Sequence, residues 1–143
     1  MKAKQFYSSA AWKYCSRYVL LYYSDGMYTK CSTSGKILKI NEGNCHCGHL
    51  IKVFDAGITN FATAFNFENL APQSMRDNRY LSGKPDIMRE WLENKHGINK
   101  IRNLYIQKHN ICRLDKTIMD YWKSYYKGLF DNLVKEKGNP WRL

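Results

Sequence analysis

The sequence has no apolar run near the roughly 20 residues that a membrane-crossing helix needs. Its most apolar stretch, Tyr18-Val-Leu-Leu-Tyr-Tyr23, falls far short. The opening Met1-Lys-Ala-Lys4 holds no apolar core of an export signal, so the expected location is the cytoplasm. Acidic residues are scarce: 12 Asp and Glu stand against 23 Lys and Arg, a formal net charge of +11. The cysteines are odd in number, five, at positions 15, 31, 45, 47 and 112. An odd count excludes a complete set of internal disulfides, and reduced thiols are expected where no export signal precedes them. Internal repeats and low-complexity segments are absent.

What is there is apolar enough to fold. The 143-residue chain is 44% hydrophobic and 15% aromatic, which suits a single domain and argues against a disordered basic tail. Its charge speaks to partners rather than to fold. A polyanion, nucleic acid above all, is the expected partner, the bland alternative being a merely basic surface. One domain over residues 1–143 is expected in three parts: an N-terminal helix (8–25), a turn-rich β region with a short helix (27–83), and a helical C-terminal part (84–143).

Periodicity supports each part. Ala11, Cys15, Tyr18 and Tyr22 recur at helical spacing, Ser8 or Ser9 is placed to cap them, and Asp25-Gly26 breaks the run. Short apolar alternations (Ile37, Leu38, Ile40; Leu50, Ile51, Val53, Phe54) follow, separated by Ser34-Gly35 and Asn41-Glu-Gly-Asn44, as in a small sheet. Residues 59–72 read as an irregular connection. A short helix is expected over Met75–Leu81, another from Pro85 to near Gly97, and a short element around Ile98–Tyr105. Asp115 caps a long helix with the stripe Ile118, Met119, Trp122, Tyr126, Leu129, Phe130 and Leu133. Tyr121, Tyr125 and Tyr126 are expected to pack within that helical part. No acid falls between Glu93 and Asp115, or from Gly26 to Asn41, so the cations there are candidate phosphate contacts.

The chemistry-bearing text is Cys45-His46-Cys47-Gly48-His49, then Phe65-Asn-Phe-Glu-Asn69, Gln73-Ser-Met-Arg-Asp-Asn78 and Ser82-Gly83. Taken alone, Cys45-His-Cys47 suggests a metal-handling or redox site, although the cysteines stand too close for a zinc knuckle. The order of the pieces resembles the His-Asn-His (HNH, ββα-metal) nucleases and, more closely, the phage NinG/Rap family of Holliday-junction and recombination endonucleases. The similarity runs from about Ser9 to Gly138.

That resemblance implies an α+β fold: a small ββα-metal core flanked by an N-terminal helix and C-terminal helices. It implies a metal-dependent endonuclease cutting branched or duplex DNA, in host cytoplasm if a phage encodes the chain. His49 is the general base, and Asn69 braces its ring at Nδ1–H, leaving Nε2 for water. Asn78, His46 and Asp77 are the candidate ligands of one divalent cation, Mg²⁺ or Mn²⁺. Arg76, Arg79, Lys84, Lys95, Lys100 and Arg102 are the candidate DNA contacts. A homodimer is implied because two strands must be cut, with the long terminal helix as its contact. Where the family carries structural-zinc cysteines, this chain has Cys31, Ser34, Ser74 and Asp77, a poor set for zinc, so no structural zinc is expected. Two family histidines are replaced by Ala71 and Tyr80. Those departures leave a second reading, a DNA-binding protein that kept the fold and lost the chemistry.

Overall fold

The computed structural model describes residues 1–142. Helices α1 (Ala3–Tyr7) and α2 (Ala10–Tyr22) open the chain. The Ser9 hydroxyl accepts from the Trp12 amide at 3.2 Å and so starts α2. A hairpin follows, β1 (Tyr28–Lys30) against β2 (Ile37–Lys39). Strand β3 (Cys45–His49) pairs antiparallel with β6 (Leu70–Ser74), in the register Cys47 to Pro72 and His49 to Leu70. Between them lie the small β4 (Phe54–Asp55) and β5 (Ile58–Thr59) hairpin and two 3₁₀ turns. Helices α3 (Pro85–His96), α4 (Ile98–Gln107) and α5 (Lys116–Lys137) complete a mixed α and β chain. Among the described residues, no helix is long and apolar enough to cross a membrane.

Strand β6 falls where the sequence suggests an irregular connection, because Pro72 sits in it. The ladder shows why proline fits. Leu50 donates to the Asn69 carbonyl and Met75 to the Asn44 carbonyl, so the hydrogen-bonded pairs run in step with these two. Pro72 therefore occupies a non-hydrogen-bonded position, where its missing N–H costs the ladder nothing. Its carbonyl points outward and accepts from the Ser32 amide at 2.8 Å, which ties the β1–β2 hairpin to the far edge of β6. By the same parity, the peptide groups of Cys47 and His49 face the other, open edge of β3.

Alternation sends the two faces of this strand pair into two apolar clusters. Cys45, Cys47 and Leu70 join α2 and α5 in the larger one, with Phe6, Trp12, Val19, Phe65 and Tyr126. Ala71 joins Met88 and Leu92 of α3 and Ile101 and Leu104 of α4 in the smaller. The α5 stripe read from the sequence packs against the larger cluster. The apolar face of α5 is thus used inside the chain. Lys137 closes the arrangement by donating to the carbonyls of Leu21 (3.0 Å), Tyr22 (2.9 Å) and Ser24 (2.6 Å) at the exposed end of α2.

Candidate nucleic-acid interface

Gly48 precedes His49 for a steric reason. A Cβ there would stand 2.5 Å from Gln73 Oε1 and 3.0 Å from Met88 Cε, so a side chain would have to displace the ends of two fully buried side chains. Gly48→Ala is expected to destabilise by about 1–3 kcal/mol, the usual cost of overpacking, as read from the urea midpoint at unchanged m-value.

His49 ends β3. Its ring stacks on Trp12 (centroids 4.7 Å apart, planes at 20°), with Phe6 at 6.2 Å. One ring nitrogen, Nε2, lies 2.9 Å from the Ala64 carbonyl oxygen. A carbonyl only accepts, so Nε2 carries the proton and Nδ1 keeps the lone pair. This reverses the expected tautomer. Asn69 does not brace the ring at all. Fully buried, it accepts from the Ile51 amide (2.7 Å) and donates to the Ile51 (3.0 Å) and Thr63 (3.1 Å) carbonyls. It fastens the 50–69 loop, and the loop presents the Ala64 carbonyl to His49.

Burial lowers the His49 titration from 6.5 to about 4, against the opposing pull of the Ala64 hydrogen bond. The unfolded chain takes up its proton near 6.5 and the folded chain only near 4. Between these values the unfolded state binds more protons, so stability falls as pH drops from about 6.5 toward 4. We expect His49 to contribute about 2–3 kcal/mol of that fall. His46 and His96 shift the same way, burial being the largest cause in each, and steepen the slope. The check is the difference between the pH dependences of wild type and His49→Asn in urea unfolding, where the variant should show the shallower acid limb.

The exposed edge of the His49 ring lines a cavity of about 240 Å³ with Tyr7, Cys47, Lys52, Phe54, Asn78 and Gly83. Lys52 is the one charged residue of that lining. A larger cleft of about 550 Å³ adjoins it, sharing Tyr7, Cys47 and Asn78 and adding His46, Arg17, Arg79, Glu42 and Trp141. Arg17 also lies over the Trp141 ring at 5.2 Å.

The expected cation ligands are engaged elsewhere. The Asn78 amide nitrogen lies 3.0 Å from His46 Nδ1. If the amide donates, His46 is protonated at Nε2 and has no lone pair left for an ion. With the amide reversed, His46 Nε2 is freed and the Asn78 oxygen is taken. Either way the pair leaves one donor, not two. Asp77 is not in either lining. Its carboxylate accepts from Thr33 (2.5 Å) and lies 3.4 Å from Lys84 Nζ and 3.8 Å from Cys31 Sγ. Burial raises its titration, but the Thr33 hydrogen bond and the Lys84 charge outweigh that and hold it below the usual carboxylate range. Among the described residues no carboxylate lines the His49 cavity, and its one charged residue is the cation Lys52. These residues do not fit the expected Mg²⁺ or Mn²⁺. Among the described residues no group of three or more His, Cys, Asp and Glu is placed to hold a metal ion.

The four positions that the resemblance ties to zinc are brought together as a hydrogen-bonded cluster. The Ser74 amide donates to Cys31 Sγ at 3.2 Å, the Asp77 amide to Ser74 Oγ at 3.2 Å, and Thr33 supplies the bond to Asp77. Ser34, in the same turn, is exposed. Gln73, fully buried, donates to Thr33 Oγ1 (3.2 Å) and to the Gly83 carbonyl (2.7 Å). That second bond holds a strained corner, because Ser82, Gly83 and Lys84 all have left-handed φ (53°, 77° and 43°). The Ser82-Gly83 text is thus read structurally as the corner that carries Gly83 to the cavity wall. Cys45 and Cys47 are buried, and burial pushes the Cys45 thiol up to about 12 and the Cys47 thiol well above its usual value, which makes both poor nucleophiles.

Of the expected DNA contacts, Arg79 lines the larger cleft, Arg76 is exposed beside it in sequence, and Lys84 is paired with Asp77. Lys95, Lys100 and Arg102 lie on α3 and α4, outside both linings. The sequence reading missed Lys52 and Arg17. Lys52, three residues beyond His49 and followed by the Val53-Phe54 turn into β4, is the one that the sequence could have shown. Comparison with protein-family models, with curated proteins and with solved structures finds no match to this chain.

Proposed function

We propose that the chain is a DNA-binding protein on an HNH-like ββα core, which holds the phosphate backbone through Lys52, Arg17 and Arg79 and does not cut it through a divalent ion. The antiparallel β3–β6 pair, the loop pinned by its buried asparagine and the following turn that carries Asn78 support the likeness to that core. One observation carries the functional reading: among the described residues, the cavity beside His49 has Lys52 as its one charged residue and no carboxylate. A site that must hold a metal cation needs negative or lone-pair donors, whereas a site that holds phosphate needs fixed positive charge. The net charge of +11 supplies the long-range attraction. The neighbouring cleft, with Arg17 and Arg79, gives a strand room to continue.

Binding is expected to be insensitive to EDTA and strongly salt-dependent, as read by fluorescence anisotropy on a four-way junction and a matched duplex. Binding that disappears with EDTA, or no binding at about 50 mM salt, contradicts the reading. The second reading, a metal-dependent endonuclease with His49 as base, is favoured by the neutral ring with its lone pair at Nδ1.

A further inference from the structure

The sequence reading treats the tyrosines of the C-terminal helix as packing groups, and only Tyr126 behaves so. Tyr121 and Tyr125 are 57% and 47% exposed, one helical turn apart, with rings 6.2 Å apart and nearly parallel at 20°. Tyr126 touches Tyr125 (5.0 Å) on one side and Tyr18 of α2 (5.9 Å) on the other. Tyr18 continues to Tyr22, itself 47% exposed, at 6.0 Å. Burial, and then the hydroxyls of Tyr22 and Tyr125, hold the Tyr18 hydroxyl above its usual titration. The row runs on through Tyr22–Tyr23 (5.0 Å) and Tyr23–Trp91 (5.0 Å) to Lys95, whose ammonium lies 5.1 Å from the Trp91 ring.

The charges around this row favour a polyanion. Lys95, against the Trp91 ring, and Lys100, near His96, stand at the Trp91 end of the row. The acids of α5 nearest the row, Asp120 and Asp131, are each held by a lysine at 2.7 Å. Glu68 is the acid near Tyr23 and His96. Exposed, nearly parallel rings about 6 Å apart on a surface with cations along it are what unpaired bases stack on while their phosphates are neutralised.

We propose that the exposed Tyr121–Tyr125 pair is a stacking surface for unpaired nucleotides, taking a single-stranded arm of the bound DNA. This rests on the DNA-binding reading above. The test uses a fluorescein-labelled oligo-dT and a labelled duplex, each with wild type, Tyr121→Ala/Tyr125→Ala and Tyr121→Phe/Tyr125→Phe. Both positions are exposed, and thermal melts check that the variants fold.

Loss of two stacking rings is expected to weaken oligo-dT binding at least tenfold, with duplex affinity unchanged within twofold and the Phe variant close to wild type. Unchanged oligo-dT binding by the Ala variant overturns the proposal and leaves duplex binding standing. Wild type that binds oligo-dT through these rings but not duplex keeps the stacking surface and sinks the reading beneath it. Self-association in sedimentation that the Ala variant abolishes also overturns the proposal, because the row then belongs to a protein interface.

Discussion

Asn69→Ala is expected to cost about 3–5 kcal/mol of folding stability, the largest single effect in this chain. The side chain is fully buried and makes three hydrogen bonds, all to backbone groups of the 50–69 loop. Alanine removes all three and leaves the Ile51 amide and carbonyl buried without partners, while the Thr63 carbonyl keeps the Asn66 amide at 3.2 Å. Each orphan costs about 1–3 kcal/mol, offset in part by whatever water reaches the loop. Asn69→Asp should fall between, because it keeps the acceptor for Ile51 and loses the two donated bonds. The loss does not stop at stability. Phe65 stacks on Trp122 at 5.4 Å, and the Tyr126 hydroxyl donates to its carbonyl, so one side of the loop stays anchored to α5. The freed part includes the Ala64 carbonyl that fixes the His49 tautomer. Urea unfolding gives the stability, and the imidazole resonances of His49 report whether the tautomer survives. A cost below about 1 kcal/mol would mean that the loop is held by its aromatic contacts alone.

The second large effect is on binding. Arg17→Gln, Lys52→Gln and Arg79→Gln together should reduce the slope of log affinity against log salt by about 3, one for each phosphate that is no longer neutralised. At fixed salt near 0.15 M we expect roughly 10- to 100-fold weaker binding. Among the described residues none of the three side chains is in a hydrogen bond or ion pair that holds the fold, although Arg17 covers the Trp141 ring and its replacement carries a small packing cost. The triple Lys95, Lys100 and Arg102 to Gln variant is the control. These cations lie on α3 and α4, away from both clefts, so duplex affinity should fall less. Equal losses in the two triple variants would show a diffuse basic surface in place of a site.

Much of the architecture was legible because its signals are local. Ser9 and Asp115 cap their helices as read, Pro85 opens α3, and the α5 stripe faces the core. The 3.6 period and the capping residues state these directly. Strand β6 was not legible, since its proline is tolerated only through a pairing parity set by the distant strand β3. The site divides in the same way. His49 and Asn78 do come to a shared cavity wall, as their order suggested. Asn69 went to the loop because a fully buried amide with two donors and an acceptor satisfies three backbone groups there, a choice that only the folded loop reveals. Asp77 reads as a free carboxylate in sequence, and its commitment to Thr33 and Lys84 requires contacts across 44 and 7 residues of chain. Tyr80, which stands where the resemblance has a histidine, is 73% exposed.

The most direct test of the account is a strand-scission assay. End-labelled four-way junction and matched duplex are incubated with wild type and His49→Ala, with Mg²⁺, Mn²⁺ or EDTA, and resolved on denaturing gels beside a native gel of the same mixtures. The account predicts retarded, intact DNA in every lane, with retention lost as salt rises and unaffected by EDTA. Metal-dependent cutting by wild type that vanishes in His49→Ala would contradict it. That result would restore His49 as a catalytic base and require the His46–Asn78 pair to open around a cation.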